Sequence, residues 1–192
     1  MQARQTILPK RLFAPGPDPE QLELLLNAAA SAPDHNQILP WRFIVVPQTA
    51  RSHLAEVFAA ALLERDAQAS AEQVVQAREK AYRAPLLLLA VADGARGDPE
   101  IDLYERILSA GCALQNMLLM ATALGLGSAL TSGKALKSQH LRTFFGLGAH
   151  EHALCFVSVG TVQRGKAARL RPTAQQYVST LDVSASDAPQ TR

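Results

Sequence analysis

The stretch from Ile107 to Leu124, "ILSAGCALQNMLLMATAL", decides how the rest of the chain is read. Its apolar residues do not keep to one stripe. A helix that is apolar almost all round belongs in the centre of a core or against another subunit. With the residues before it, the stretch predicts one long helix from about Glu100 to Leu124, ended by Gly125. Gly111, inside it, points to close packing against another backbone. Asp102, Glu105 and Arg106 fall at its start, where acids suit the helix dipole. That placement explains them without catalysis.

Downstream of the long helix, "GSALTSG" (127–133) reads as a short strand and turn. "SQHLRTFFGL" (138–147) reads as a short helix capped by Ser138 and ended by Gly146. "ALCFVSVGTV" (153–162) reads as a buried strand. Upstream, "LLLLAVA" (86–92) has the length of a strand buried on both faces. Before it, Ser70 and Gln73 have capping-box spacing, for a helix from Ala71 to about Tyr82. Thr49 is placed to cap another helix, from about Ala50 into the sixties. This pair has a thin apolar stripe and is expected to be partly exposed. "WRFIVV" (41–46) reads as a strand. Asp18, Pro19 and Gln21 start the first helix, with Leu22, Leu25, Leu26 and Ala29 facing the core and Pro33 ending it. Met1 to Pro17 is expected to be a short extended lead-in.

The order is helix, strand, two helices, strand, long helix, strand, helix, strand. It fits a layered α/β or α+β domain with a central sheet. With no internal repeat and no linker, residues 1–181 are expected to form one domain. The last stretch, 182–192, is expected to be a disordered tail.

Composition excludes several classes of function. The chain of 192 residues carries a net charge of +2, too mild to argue for nucleic acid. Its densest basic stretch, "RGKAARLR" (164–171), suits a solvated turn or a single phosphate. Cys112 and Cys155 lie in apolar segments, no CxxC occurs, and no apolar leader is visible. The expectation is a reduced, cytoplasmic chain without a membrane span. No GxGxxG follows a strand, and no GxxxxGK[ST] or GxSxG occurs. His150 and His152 form HxH without further ligands at metal spacing. An enzyme without its own catalytic machinery would need a cofactor for the hard chemistry.

One loop stands apart. In "SAPDHNQILPW" (31–41), Pro33 and Pro40 frame four polar residues and close on Trp41, the only tryptophan. The plain reading is a turn bonded to itself, with Trp41 in the core.

Four motifs in order resemble the FMN-dependent nitroreductase family. They are "RQT" (4–6), similar to that family's Arg-Arg-Ser/Thr signature, "APDHNQILPW" (32–41), the long apolar helix followed by "TSG" (131–133), and "VSVGT" (157–161) followed by basic residues. The proline-framed segment resembles a subgroup of small members with Pro-Asp-His before Pro-Trp. The resemblance covers about residues 4 to 172. It implies an α+β fold with a central mixed sheet flanked by helices, and an intertwined homodimer holding FMN at the subunit interface.

By that resemblance, Arg4 and Thr6 meet the FMN phosphate, and Gln5 takes the place of the signature's second arginine, with one charge fewer. Only three residues precede Arg4, which leaves less chain for wrapping a dimer at this end. Lys166 or Arg169 would add phosphate charge. His35 would reach the flavin from the partner subunit, and Leu130, Thr131 and Ser132 would line its ring. The plain readings are a terminal arginine, a turn histidine and ordinary strand-end chemistry. The helix pair from Ala50 to Tyr82 would supply a lid. The implied activity passes hydride from NADH or NADPH to FMN and on to a small-molecule acceptor such as a nitroaromatic or quinone. The alternatives are a non-catalytic FMN-binding dimer and a different specialised flavin reaction.

Overall fold

Residues 2–163, 167 and 170–181 are described in the computed structural model. Four strands, β1 (Trp41–Val45), β2 (Leu86–Asp93), β3 (Gly127–Thr131) and β4 (Glu151–Gly160), form a sheet in the order β1-β2-β4-β3. Among the described residues, five α-helices surround it: α1 (Pro19–Ala30), α2 (Arg51–Arg65), α3 (Ala71–Glu79), α4 (Leu103–Ala123) and α5 (Gln139–Phe144).

The continuous apolar run of β2 is explained by its place in the sheet. Leu86, Leu88 and Ala90 belong to a core shared with α1 and α4, together with Cys155, Val157 and Val159 of β4. Leu87, Leu89 and Val91 point the other way, into a second core with Leu54 and Phe58 of α2, Ala77 of α3 and Leu141 of α5. Side chains alternate along a strand, so both alternating sets must be apolar when helices cover both faces. All four strands pair antiparallel. The parallel component of the sheet is a bridge between Thr6 and Ser128 at the outer edge of β3.

The lead-in is therefore more than extended chain. Ile7 donates its amide to the Ser128 carbonyl, residues Pro9–Arg11 form a 3-10 turn, and Phe13 exchanges two hydrogen bonds with Thr161. It is stitched along the ends of β3 and β4.

The caps of α1 and α3 follow their sequence signals. Asp18 with Gln21 and Ser70 with Gln73 form reciprocal capping boxes. Thr49 does not cap α2. The chain enters that helix through a 3-10 turn, Gln48–Ala50, and Ala50 occupies the cap position with helical backbone angles. The first residue of α2 is instead a buried arginine. Arg51 donates to the carbonyls of Val46, Ala81 and Pro85 and so joins the end of β1, the turn after α3 and the start of β2.

Helix α4 begins at Leu103, with the Asp102 carboxylate accepting from the Tyr104 and Glu105 amides. Arg106 is not a surface charge at a helix start. It is fully buried and donates to the carbonyls of Asp93, Arg96, Asp98 and Ile101, fastening the preceding loop to the helix. The helix is apolar all round but only partly covered. Ala110, Ala113, Met117 and Ala121 are buried, while Tyr104 and Leu108 are 83% and 69% exposed. Gly111 is exposed as well, and a Cβ there would meet nothing within 4 Å. The close backbone contact expected at Gly111 is not made within this chain. Among the described residues no helix is long and apolar enough to cross a membrane.

Candidate active site

A cleft of about 610 Å³ opens where α2 and α3 stand over the sheet. Its size falls within the range of small-molecule sites. Phe58 of α2, Leu87 of β2 and Phe156 of β4 give it an apolar floor. Phe58 and Phe156 meet edge to face with centroids 5.5 Å apart. Register decides which residues of β3 can reach it. Thr131 lies opposite Phe156 and shares its face, whereas Leu130 lies opposite Val157, which belongs to the α1–α4 core.

The rim is cationic. Arg65 ends α2, Lys80 and Arg83 lie in and just beyond the 3-10 turn Lys80–Tyr82, and Lys134 opens the turn after β3. Gln73 and Gln76 of α3 add amides. Among the described residues, no carboxylate lines the cleft. The ion pairs among the described residues are His35–Glu105, Arg42–Glu151 and Arg78–Glu56, so none of the four rim cations has an acidic partner there. Burial, then repulsion from Arg83 and Arg65, holds the Lys80 ammonium below its ordinary range.

Two contacts fix this rim. Arg51 holds the turn carrying Lys80 through its bond to the Ala81 carbonyl at 2.7 Å. The Ser132 hydroxyl donates to the Leu154 carbonyl at 3.0 Å, which anchors the turn from Thr131 to Lys134 against β4.

The residues expected at a site are not gathered in one place within the chain. Thr131 and Ser132 line the cleft, and of the lead-in only Pro9 does so. Arg4, Gln5 and Thr6 lie at the outer edge of β3, where the Arg4 carbonyl accepts from Arg171. Leu130 is exposed on the other face of β3. Lys166 and Arg169 lie outside the described residues.

His35 sits away from the cleft, exposed, with Nδ1 donating to Glu105 Oε2 in the first turn of α4 at 3.0 Å. Its loop is held in an unusual shape. Asn36, Gln37 and Leu39 adopt φ of 56°, 53° and 48°, a left-handed region that few non-glycine residues occupy. The Asp34 carboxylate accepts the Leu39 amide at 2.7 Å and closes the loop on itself.

Lys80, Arg83, Arg65 and Lys134 were not singled out by sequence. The usable signal was "REKAYR" (78–83), three cations at the end of a helix, but only Arg78 finds a carboxylate, that of Glu56. The α2–α3 pair forms one wall of the cleft.

The sequence model of the nitroreductase family matches residues 4–161. The chain belongs to the nitroreductase family. A relative from Haemophilus influenzae, named "Putative NAD(P)H nitroreductase", is 35% identical over 152 residues, covering 79% of this chain and 82% of the relative. Among solved structures, the nitroreductase-like family protein from Bacillus cereus superposes with a TM-score of 0.79 at 18% identity, covering 94% of this chain and 92% of that one. A nitroreductase with bound FMN from Bacteroides fragilis gives a TM-score of 0.69 at 19% identity, covering 94% and 95%. At such identities the two structures establish the fold of this family member.

Proposed function

We propose that this nitroreductase-family chain is an FMN-dependent oxidoreductase that draws on NADH or NADPH and reduces a nitroaromatic, quinone or similar acceptor. The observation that carries the reading is the cleft, an apolar aromatic floor beside the Lys80 ammonium and the Thr131–Ser132 turn. A planar ring that is apolar on its faces and gains negative charge on reduction fits those residues. The name of the Haemophilus influenzae relative and the FMN in the Bacteroides fragilis structure support it.

Bound FMN supplies the redox chemistry that no side chain here provides. The chain's part is placement and charge. Phe58, Leu87 and Phe156 offer the ring an apolar bed, and the turn from Thr131 to Gly133 offers backbone amides at its edge. Lys80, already facing the cleft, favours added negative charge there, the electrostatic preorganisation that such sites use. Arg4 and Thr6, with Gln5 between them, are assigned to the phosphate, together with Lys166 or Arg169. Leu130 and His35 do not face this chain's own cleft, so both are assigned to a homodimer, His35 being offered to the partner's flavin. The exposed face of α4 supports that assembly. The Pro-Asp-His…Pro-Trp segment fits the small members of the family, and a cytoplasmic location fits the free thiols of Cys112 and Cys155.

Anaerobic mixing of FMN-loaded protein with NADH and with NADPH tests the reading. Loss of the oxidised flavin's visible absorbance is the expected result. If neither nucleotide bleaches the flavin, the oxidoreductase reading falls.

A further inference from the structure

The cleft holds more positive charge than a neutral reactant requires. Arg65, Lys80, Arg83 and Lys134 come from three separate elements and converge on one opening. Two acids of α2 are engaged elsewhere. Glu56 holds Arg78, and Glu64 accepts from Ser138 of the α5 cap. Cations gathered on one cleft without carboxylates in its lining repel one another. Such an arrangement is stabilised when an anion enters. The floor beneath is aromatic and aliphatic, so the entering molecule pairs a ring with its charge at short range.

We propose that Arg65, Arg83 and Lys134 form a specificity element that selects an electron acceptor carrying a carboxylate on its aromatic ring. The proposal rests on the reading of this cleft as the electron-transfer site. A nicotinamide dinucleotide carries its phosphates far from its reacting ring, whereas an aromatic carboxylate places ring and anion together, as the cleft does. Arg65 and Arg83 can each offer a planar fork to a carboxylate, and Lys134 a point charge.

The test uses two probes with the same nitrophenyl ring, para-nitrobenzoate and the uncharged para-nitrobenzyl alcohol. Calorimetric titration of FMN-saturated protein measures binding, and steady-state rates give kcat/KM for each. The benzoate is expected to bind about tenfold or more tightly at low salt, as for charge-assisted pairing. The preference is expected to shrink at about 0.5 M salt, where the screening length is only a few ångströms. In the double variant Arg65→Gln, Arg83→Gln the ratio of the two kcat/KM values and the ratio of the two dissociation constants should both approach one. Lys134→Gln, on a different element, should reduce both ratios in the same direction and serves if the double variant fails to fold.

Equal binding of the two probes by the wild type overturns the proposal, as does a preference that survives the substitutions. FMN lost from folded variants also overturns it, because the cations would then belong to the cofactor. A protein that takes up no FMN but still prefers the benzoate would leave the anion site standing and remove the reductase reading. Flavin bleaching without any preference between the probes would do the reverse.

Discussion

Trp41 Nε1 donates to Ser109 Oγ at 3.0 Å, and the same hydroxyl donates to the Pro33 carbonyl at 2.6 Å. One buried oxygen therefore joins the first residue of β1, the middle of α4 and the start of the polar loop. Between those ends the chain holds three residues at positive φ, a conformation that costs of order 1–3 kcal/mol each and persists only where surrounding structure enforces it. The relay through Ser109 is part of that enforcement. It also gives Trp41 its role as a core residue and loop anchor.

Ser109→Ala removes both bonds and leaves an indole N–H and a carbonyl without partners. The buried indole N–H left unpaired costs about 1–3 kcal/mol, and the Pro33 carbonyl, in an exposed residue, can turn to water. The expected loss of stability is about 2 kcal/mol, read from the midpoint of chemical denaturation. Amide exchange across residues 34–39 should accelerate more than exchange in β2. A variant with unchanged midpoint and unchanged loop exchange would show that the relay does not hold the loop.

The Arg42–Glu151 pair predicts how stability responds to acid. Arg42 Nε and Nη2 meet Glu151 Oε1 and Oε2 at 2.6 and 3.0 Å, and Gly148 donates its amide to the same carboxylate. The Arg42 hydrogen bonds, above all, hold the Glu151 carboxyl below its ordinary value of 4.5. A carboxyl depressed in the folded state adds stability that is fully present above its unfolded value and is lost as pH falls through its folded value. Arg42 is partly exposed, so the contribution is set at about 1 kcal/mol. Glu151→Gln should thus unfold at a lower temperature than wild type at neutral pH, with the gap closing on the acid side of 4.5. A gap that stays constant down to about pH 3, beyond the usual carboxylate range, would exclude the pair as its source.

What sequence made legible depended on whether the cause was local. The capping boxes at Asp18 and Ser70 need only neighbours three residues away, and both formed. The apolar run of β2 announced burial on both faces, but strand direction is set by which elements lie beside it, and the sheet is antiparallel. Thr49 carried a cap-forming side chain, yet Arg51 found three backbone carbonyls inside the fold and set the helix entry instead. Arg106 is the same case. Its position reads as helix stabilisation at the start of α4, but the loop before α4 turns four carbonyls toward it. Of the residues lining the cleft, Thr131 and Ser132 are singled out from sequence because their motif is contiguous. The rim cations come from α2, the turn after α3 and the turn after β3, and their lack of acidic partners exists only in three dimensions.

His35 is joined to Glu105 in the same helical turns that expose Tyr104 and Leu108, and Gly111 leaves an open position one turn further on. The loop and the uncovered stripe are therefore presented side by side, which is what the assignment of His35 to a partner's flavin requires. Leu108→Glu places a charge in that stripe and should shift the chain from dimer to monomer in sedimentation, since an unpaired charge is costly in an apolar interface. It should also weaken FMN binding, because each site would lose the partner's contribution. His35→Ala should weaken FMN binding by about tenfold, as for one lost charge-assisted or polar contact, while leaving the dimer and its melting temperature intact. Flavin fluorescence titration reads both. If Leu108→Glu yields monomers that bind FMN as tightly as wild type, His35 does not act across an interface. If His35→Ala leaves the titration unchanged in a dimer, the framed loop serves packing alone.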